Sequence, residues 1–240
     1  MPERRKGRSP TNETAHRRKP AQSRSRATAE AIREAFVRLL ASRDYEDVSI
    51  RQVISLAGVG IGSFYEYFSS KDDLGAVCIH LWIKEISTAM RASIEATRGR
   101  QLAERVHRLI LAQMAAPLQR PRDWAALFRL ERRMSGMKEF RRMYGKFVRL
   151  HEEALLAGPG WPDGKPAGPT AFAVHAIVYG LASQQLIVSD GAIDNDALRD
   201  TVCAAVHGYL ATMVPSYVRP ADAPVHLAPL AGRGRNSNGT

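Results

Sequence analysis

Large apolar residues recur along this chain at the three- and four-residue spacing of amphipathic helices, and this periodicity is the strongest constraint on the fold. It begins with Ile32, Phe36 and Leu39 and is still present at Val206 and Leu210. No segment shows the alternation that is typical of β-rich proteins. The sequence therefore predicts an all-α protein, and 240 residues are enough for one large or two ordinary domains with buried cores.

Local signals predict where the first helices begin and end. A first helix is expected from Ala27 to near Ser42, and Ser49 is a plausible N-cap for a short second helix. The run Gly58-Val59-Gly60 ends that helix, and a third short helix follows over residues 61–68. Ser70, with Asp73 three residues later, has the arrangement of an acidic capping box at the start of a longer helix.

The amino terminus differs in composition from the rest of the chain. The first 26 residues carry nine basic side chains against Glu3 and Glu13, with several prolines and hardly any large apolar residue. Such a segment cannot offset the entropy lost on ordering, so residues 1–24 are expected to form a disordered basic arm. The whole chain has a formal net charge of +11, which favours a polyanionic partner, either nucleic acid or an anionic membrane surface.

The two cysteines, Cys78 and Cys203, lie far apart and form no CxxC pair or ligand cluster. A disulfide framework and a zinc site are therefore not expected, and a reducing cytoplasmic location fits this usage. No apolar stretch follows the basic residues that would serve as the core of a signal peptide. We expect no metal and no cofactor.

The segment 169–189 contains no charged residue and raises the question of a membrane span. His175, Gln184 and Gln185 interrupt the apolar run and Gly180 lies within it, which favours a helix buried on all sides between neighbours. Together with the apolar stripe of a last helix at 195–213, it presents more apolar surface than one monomer can readily cover. We therefore expect a homodimer in which these two helices form a four-helix bundle across a two-fold axis, and no membrane association.

The second and third helices have the arrangement of a helix-turn-helix, because both are short and a tight glycine-containing turn joins them. Small residues at positions 60, 62 and 63 would let the start of the third helix approach DNA closely. On periodicity alone, an ordinary helical hairpin is an equally good interpretation.

The residues of this region closely resemble the helix-turn-helix signature of the TetR family of bacterial transcriptional regulators. The matching motifs are Ala57-Gly58-Val59 in the turn, Tyr65-x-Tyr67-Phe68 in the third helix and Ser70-Lys71-Asp72-Asp73-Leu74 at the start of the fourth. The resemblance covers about residues 27–80. It implies a helix-turn-helix DNA-binding domain at 25–73, an effector-binding and dimerisation domain at 74–214, and it leaves a flexible tail at 215–240.

Carried over by position, the resemblance places the start of the third helix at the base edges and three further side chains at phosphates. Gly60 replaces a frequent serine and Ile61 stands where polar residues are common, so the operator cannot be read from these positions. Residues 24–74 hold seven basic against eight acidic side chains, which suggests that the arm supplies much of the phosphate attraction. The predicted DNA-binding residues are Arg24, Arg26, Ser49, Arg51, Gln52, Gly60, Ile61, Gly62, Ser63, Tyr65, Tyr67 and Lys71.

The resemblance also implies an unidentified small-molecule effector, whose binding shifts the fourth helix and releases a repressor from an inverted-repeat operator in double-stranded DNA. Large apolar and amphipathic side chains in the second half of the chain are candidates for its cavity, although each of them is also an ordinary core residue at helical spacing. The predicted ligand-binding residues are Trp82, Met114, Trp124, Phe128, Met137, Tyr144, His175 and Tyr179.

Two other function classes compete with a specific regulator. An all-α enzyme lacks support, because His151-Glu152-Glu153 does not have HExxH spacing and no GxSxG, P-loop or GxGxxG motif occurs. No catalytic residue is therefore predicted. A non-specific nucleic-acid-binding or packaging protein would use the basic arm, and only the helix-turn-helix motif argues against it.

Overall fold

The computed structural model describes residues 15–219, with side chains from residue 24 onward. Over that range the chain forms nine helices and no strand, which confirms the all-α prediction. The helices are α1 (Ala15–Leu40), α2 (Ile50–Ala57), α3 (Ile61–Tyr67), α4 (Lys71–Ala96), α5 (Leu102–Gln119), α6 (Pro121–Met134), α7 (Met137–Leu156), α8 (Gly168–Val188) and α9 (Asn195–Met213).

The chain divides into two compact units, Met1–Leu74 and Gly75–Thr240. In the first unit, α1 packs against both α2 and α3, and α2 packs against α3. The apolar residues spaced along these helices supply its buried side chains. They are Ile32, Phe36, Leu40, Val48, Val53, Phe64, Phe68 and Leu74.

Helix α1 is longer than the sequence predicts. It begins at Ala15 instead of Ala27, so residues 15–24, which the sequence predicts to be part of a disordered arm, belong to a helix. Alanine, arginine, lysine and glutamine are good helix formers, and extending a helix that is already packed avoids the unfavourable nucleation step. The rest of the predicted arm, residues 1–14, lies outside the described residues.

The second unit is built around α8, which packs against α6, α7 and α9. Helix α5 packs against both α7 and α9. The four helices α5, α7, α8 and α9 therefore enclose one apolar cluster. Representative members of this cluster are Ile110, Leu155, Val174, Val202 and Val206.

Helix α8 is not buried on all sides, contrary to the prediction from sequence. Among the described helices it alone is long and apolar enough to be a candidate membrane span, yet only 39% of its most apolar window is buried. Its neighbours in the unit cover one face, and Phe172 and Val188 remain exposed. A single helix of this kind is weak evidence for a membrane span, and α8 is a core helix with one open face.

Pro117 lies inside α5, near its end, where the loss of one backbone hydrogen bond is tolerated, and α5 ends before Arg120. The end of the chain differs from the sequence prediction. The predicted tail from residue 215 begins with a packed segment, because the Tyr217 hydroxyl lies 2.5 Å from His207 Nδ1 and Val214 is fully buried. The remainder of that predicted tail, residues 220–240, lies outside the described residues.

Arg105 joins α5 to the end of α7. Its buried guanidinium donates hydrogen bonds to the carbonyls of Ala154 and Leu155 at 2.8 and 2.9 Å. It also donates to Gly158 at 3.1 Å, Pro159 at 2.9 Å and Arg100. These carbonyls include some that a helix end leaves without partners, and the negative end of the α7 dipole suits a cation.

Candidate DNA-binding surface and ligand cavity

Helix α2 begins with a complete capping box. The Ser49 side chain accepts a hydrogen bond from the Gln52 backbone N–H, and the Gln52 side-chain oxygen accepts one from the Ser49 backbone N–H at 2.8 Å. The N-cap prediction for Ser49 is confirmed. The same hydrogen bonds hold the Gln52 amide oxygen at the start of α2. Arg51 beside it is exposed, and none of the described hydrogen bonds involves its side chain.

The turn between α2 and α3 depends on Gly58. This residue has φ +67° and ψ 33°, the left-handed conformation that glycine adopts without steric penalty. Its N–H caps α2 by bonding to the carbonyls of Ile54 and Ser55. The glycine in the turn is therefore required by the backbone.

Helix α3 presents one face to the core and another to solvent. Phe64 is fully buried and Phe68, just after the helix, is 4% exposed, whereas Ile61 is 48% and Tyr65 57% exposed. Both Ile61 and Tyr65 are therefore accessible to a second molecule. The solvent face contains the residues that were predicted to lie at the base edges.

Gly60 and Gly62 on this face are not required by the domain itself. Gly60 has φ −78° and ψ 158°, which any residue adopts, and a Cβ added at either glycine meets no atom within 4 Å. A glycine inside a helix costs about 1 kcal/mol relative to alanine. Their effect is to leave the start of α3 flat and open to a second molecule.

The two tyrosines of the third helix lie in different settings. Tyr65 is exposed and its ring meets Phe64 edge-on, with centroids 5.3 Å apart. Tyr67 is half-buried, with its ring 6.4 Å from that of Phe68. Ser63 is also half-buried. The geometry leaves Tyr65 the more accessible of the two hydroxyl-bearing rings.

Lys71 has a structural contact that sequence reasoning did not predict. Its ammonium donates to the carbonyl of Tyr45 at 2.7 Å and to that of Val48 at 2.9 Å, and it lies 4.1 Å from the centroid of the Tyr45 ring. Two of its three N–H donors are thus used within the domain. The Tyr45 hydroxyl also donates to Asp72, so two side-chain contacts join the start of α4 to the loop before α2.

The capping arrangement at the start of α4 is partly as predicted. Ser70 Oγ accepts a hydrogen bond from the Asp73 backbone N–H at 3.0 Å. The Asp73 carboxylate, however, accepts from the backbone N–H of Ser69 at 2.8 Å and not from that of Ser70. Arg24 and Arg26, the other predicted DNA contacts, are exposed residues of α1.

The second unit holds a small cavity of about 20 Å³ between α4, α5, α6, α7 and α8. Most of its wall is apolar, and sequence reasoning placed five of the lining residues among the ligand candidates, namely Trp82, Met114, Phe128, His175 and Tyr179. It missed others, including Ile86, Gln113, Pro117, Met143, Phe147 and Val178. Their part in the cavity depends on how the helices are rotated against one another, which no local pattern reports.

The three remaining candidates lie away from the cavity wall. Trp124 is fully buried behind it, with its ring 5.5 Å from that of Trp82. Tyr144 meets the His175 ring edge-on at 4.4 Å. Met137 is 63% exposed at the first residue of α7, so it contributes nothing to this cavity.

Several buried polar atoms around the cavity have no hydrogen-bond partner within the protein. They are both ring nitrogens of His175, the indole nitrogens of Trp82 and Trp124, and Glu131 Oε1. The other Glu131 oxygen accepts from the Tyr179 hydroxyl at 2.9 Å, and burial raises the pKa of Glu131. Burial lowers the pKa of His175 to about 4, so this imidazole is neutral at physiological pH.

His151, which belongs to the tight His/carboxylate cluster noted in the sequence, is buried. Its Nε2 lies 2.8 Å from the Gln113 side-chain oxygen, and burial lowers its pKa well below the usual value. Within residues 24–219, where side chains are described, no three His, Cys, Asp or Glu side chains are grouped closely enough to hold a metal ion.

Comparison with known proteins supports the assignment of the first unit. The family described as "Bacterial regulatory proteins, tetR family" matches residues 32–76, which span the last part of α1 together with α2, α3 and the start of α4. Comparison with curated proteins finds no match. The helix-turn-helix domain of this chain therefore matches that of the tetR family of bacterial regulatory proteins, and the chain is a DNA-binding transcriptional regulator.

Proposed function

We propose that the protein is a homodimeric repressor that binds an inverted-repeat operator through α3 and is released from it by a small molecule. The observation that carries this proposal is the open face of α3. Ile61 and Tyr65 are exposed there, and Gly60 and Gly62 leave room for a close approach that the domain does not itself use. Such a helix suits the major groove, where a side chain like Ile61 meets a thymine methyl group.

The open face of α8 supports the dimer. An apolar groove of about 640 Å³ runs between α8 and α9, with Ala176, Ile177, Gly180, Leu181 and Val188 along it. A Cβ added at Gly180 meets nothing within 4 Å, so a second helix can approach closely at this point. A two-fold pair of α8 and α9 would cover the groove as a four-helix bundle, and two-fold symmetry in the protein calls for an inverted repeat in the DNA.

Helix α4 offers a route from ligand to DNA. Its first residue, Lys71, contacts the loop before α2, and Trp82 and Ile86 of the same helix line the cavity. A ligand that enlarges the cavity would displace α4, and the displacement would change the spacing of the two α3 helices in the dimer. A cytoplasmic protein without catalytic activity fits this role.

The test is the binding of purified protein to the promoter DNA that flanks its own gene, measured by fluorescence anisotropy at fixed salt with random DNA as competitor. Binding that survives a large excess of random DNA, with two chains per site, is the expected result. Binding that random DNA abolishes would instead indicate a non-specific nucleic-acid-binding protein that relies on its basic amino terminus.

A matched pair of variants sharpens this test. Ile61→Ala removes an exposed apolar side chain from α3, and Leu56→Ala removes one of similar exposure from α2. Specific binding through α3 predicts a larger loss of operator affinity for Ile61→Ala, with little change in affinity for random DNA. Equal losses on both DNA molecules would contradict base contact by Ile61.

A further inference from the structure

We infer that the cavity in the second unit takes an uncharged aromatic molecule carrying a hydroxyl group, and that His175 is the residue that recognises the hydroxyl. This inference rests on the proposal that the unit binds a small-molecule effector, and it adds the chemical class of that effector. It stands on three features of the cavity: its rings, its unpaired polar atoms and its lack of charged side chains.

The wall of the cavity is rich in aromatic rings set edge-to-face. The Trp82 and Phe128 rings lie 5.0 Å apart at 83°, and the Phe128 and Tyr179 rings 5.9 Å apart at 76°. The His175 ring stacks on Phe147, with centroids 5.4 Å apart. The ring of a ligand can pack against such rings in an offset or edge-to-face position. A flat aromatic ligand therefore fits the wall better than an aliphatic chain.

His175 supplies the polar contact. It lines the cavity, is 1% exposed, and neither ring nitrogen has a hydrogen-bond partner in the protein. A neutral imidazole has one donor and one acceptor nitrogen, and a hydroxyl group both accepts and donates. The unpaired Trp82 indole N–H, also on the cavity wall, provides a second donor for the same oxygen.

The absence of charged side chains from the cavity wall disfavours an ionic ligand. No Lys, Arg, Asp or Glu is among the residues that line the cavity. A carboxylate or an ammonium group would lose its hydration there without gaining an ion pair. The nearby Glu131 already accepts the Tyr179 hydroxyl through one oxygen, and its raised pKa reduces its value as a counter-ion for an ammonium ligand.

The volume of about 20 Å³ is enough for a water molecule and smaller than an aromatic ring. A ring-sized ligand must therefore push side chains aside. Met114 and Met143 on the wall are the adaptable ones, because an unbranched thioether side chain changes rotamer more easily than a branched or aromatic one. This enlargement is the step that would displace α4.

The experiment uses four probes of similar size with the full-length protein at pH 7.5: phenol, toluene, benzoate and benzylamine. Binding is measured by calorimetry and by the fluorescence of the three tryptophans in the chain, of which Trp82 lines the cavity. Phenol should bind about tenfold more tightly than toluene, the gain expected of one or two buried hydrogen bonds. Benzoate and benzylamine should bind more weakly than phenol.

Two variants assign the preference to His175. His175→Phe keeps a ring and removes both nitrogens, so the preference for phenol over toluene should fall to what the Trp82 N–H alone provides. His175→Gln restores a donor and an acceptor and should retain the preference for phenol. His175→Phe should also melt at the same temperature as the natural protein or higher, since it removes unpaired buried polar atoms. If His175 had only a structural role, its replacement would not leave stability unchanged and at the same time reduce the preference for phenol over toluene.

Equal binding of phenol and toluene to the natural protein, tighter binding of benzoate or benzylamine, or no binding of any probe would overturn the inference. An undiminished preference for phenol in His175→Phe would overturn the role of His175. Operator binding is measured separately. If phenol binds as expected and operator affinity does not change, the inference stands and ligand-induced release by this class of molecule is contradicted.

Discussion

The ammonium group of Lys71 donates a hydrogen bond to the Val48 carbonyl at 2.9 Å, and this contact fixes the first residue of α4 to the residue that precedes the N-cap of α2. A second bond, to the Tyr45 carbonyl, anchors the other end of the same loop. One side chain with several donors thus contributes two of the bonds that position the helix-turn-helix against the start of α4, beside the bond from the Tyr45 hydroxyl to Asp72. The resemblance to the family predicts a phosphate contact for Lys71, and the geometry adds a structural contact within the domain.

Replacing Lys71 by methionine should lower the free energy of unfolding by about 1–2 kcal/mol, because two carbonyls lose a charged donor. Operator affinity should fall with it, while the slope of log affinity against log salt stays the same. Denaturant unfolding and anisotropy at several salt concentrations measure these quantities. Arg51→Met is the matched control, since loss of a phosphate contact reduces the slope by about 0.9 without loss of stability. A reduced slope with unchanged stability for Lys71→Met would instead indicate that Lys71 contacts a phosphate.

Gly62→Ala should stabilise the protein and weaken its binding to DNA. Alanine is favoured over glycine in a helix by about 0.5–1 kcal/mol, and the added Cβ meets no atom of the protein. The same methyl group would separate α3 from the DNA at the point of closest approach. Thermal melting and operator binding measure the two effects.

Gly58→Ala serves as the contrast to Gly62→Ala, because its φ of +67° is strained for any residue with a Cβ. It should destabilise the protein by about 1–2 kcal/mol. If Gly62→Ala left operator affinity unchanged, close approach at this residue would be ruled out.

Arg105→Met should lower the free energy of unfolding by about 3 kcal/mol, because five carbonyls lose their shared donor and some of them are buried. Burial lowers the pKa of Arg105, yet arginine remains charged at any physiological pH. Urea denaturation followed by circular dichroism gives the change. Arg108→Met, on the same helix, is the control and should change stability by less than about 0.5 kcal/mol.

Stability should decrease as the pH falls from about 6.5 to 4. Burial lowers the pKa of His175 and His207 to about 4 in the folded protein, and unfolding returns both to about 6.5. In this window the unfolded chain binds protons that the folded chain does not, so each histidine contributes a slope of up to about 1.4 kcal/mol per pH unit. Denaturant unfolding at a series of pH values measures it. His175→Phe should have a shallower slope, and an identical slope would contradict the burial of a neutral His175.

Ala176→Glu should convert the dimer to a monomer, because it places a carboxylate in the apolar groove between α8 and α9. Ala115→Glu, at an exposed position of α5, introduces the same charge elsewhere and should leave the dimer intact. Sedimentation velocity distinguishes the two states. A dimer that survives Ala176→Glu would exclude this groove as the interface.

The features that could be predicted from the sequence are the local ones. The Ser49 capping box and the Gly58 turn each depend on a few consecutive residues, so their signals are visible without the fold. The start of α9 is predicted for the same reason, because Asp194 accepts from the backbone N–H groups of Asp196 and Ala197. The predicted and observed helix boundaries therefore agree closely where a capping residue is present.

The features that could not be predicted depend on how separate helices meet. Gln113 and Phe147 face the cavity only because α5 and α7 are rotated to that side, and Met137 faces solvent although its residue type suited the cavity. The Lys71 ammonium group donates hydrogen bonds to carbonyls that lie 23 and 26 residues away in the chain. Residue type and spacing carry no information about such contacts.

The contact between Arg105 and the end of α7 has a consequence for how the sequence can vary. All of its described acceptors are main-chain carbonyls, so the side chains at positions 154, 155 and 159 contribute no partner atom, and this contact places no constraint on them. Pairwise covariation with Arg105 is not expected at these positions. Gly158 is the exception, because a Cβ there would lie 2.9 Å from Arg105 Nη1. In an alignment of related proteins, we expect this helix junction to appear as an invariant arginine at position 105 together with an invariant glycine at position 158.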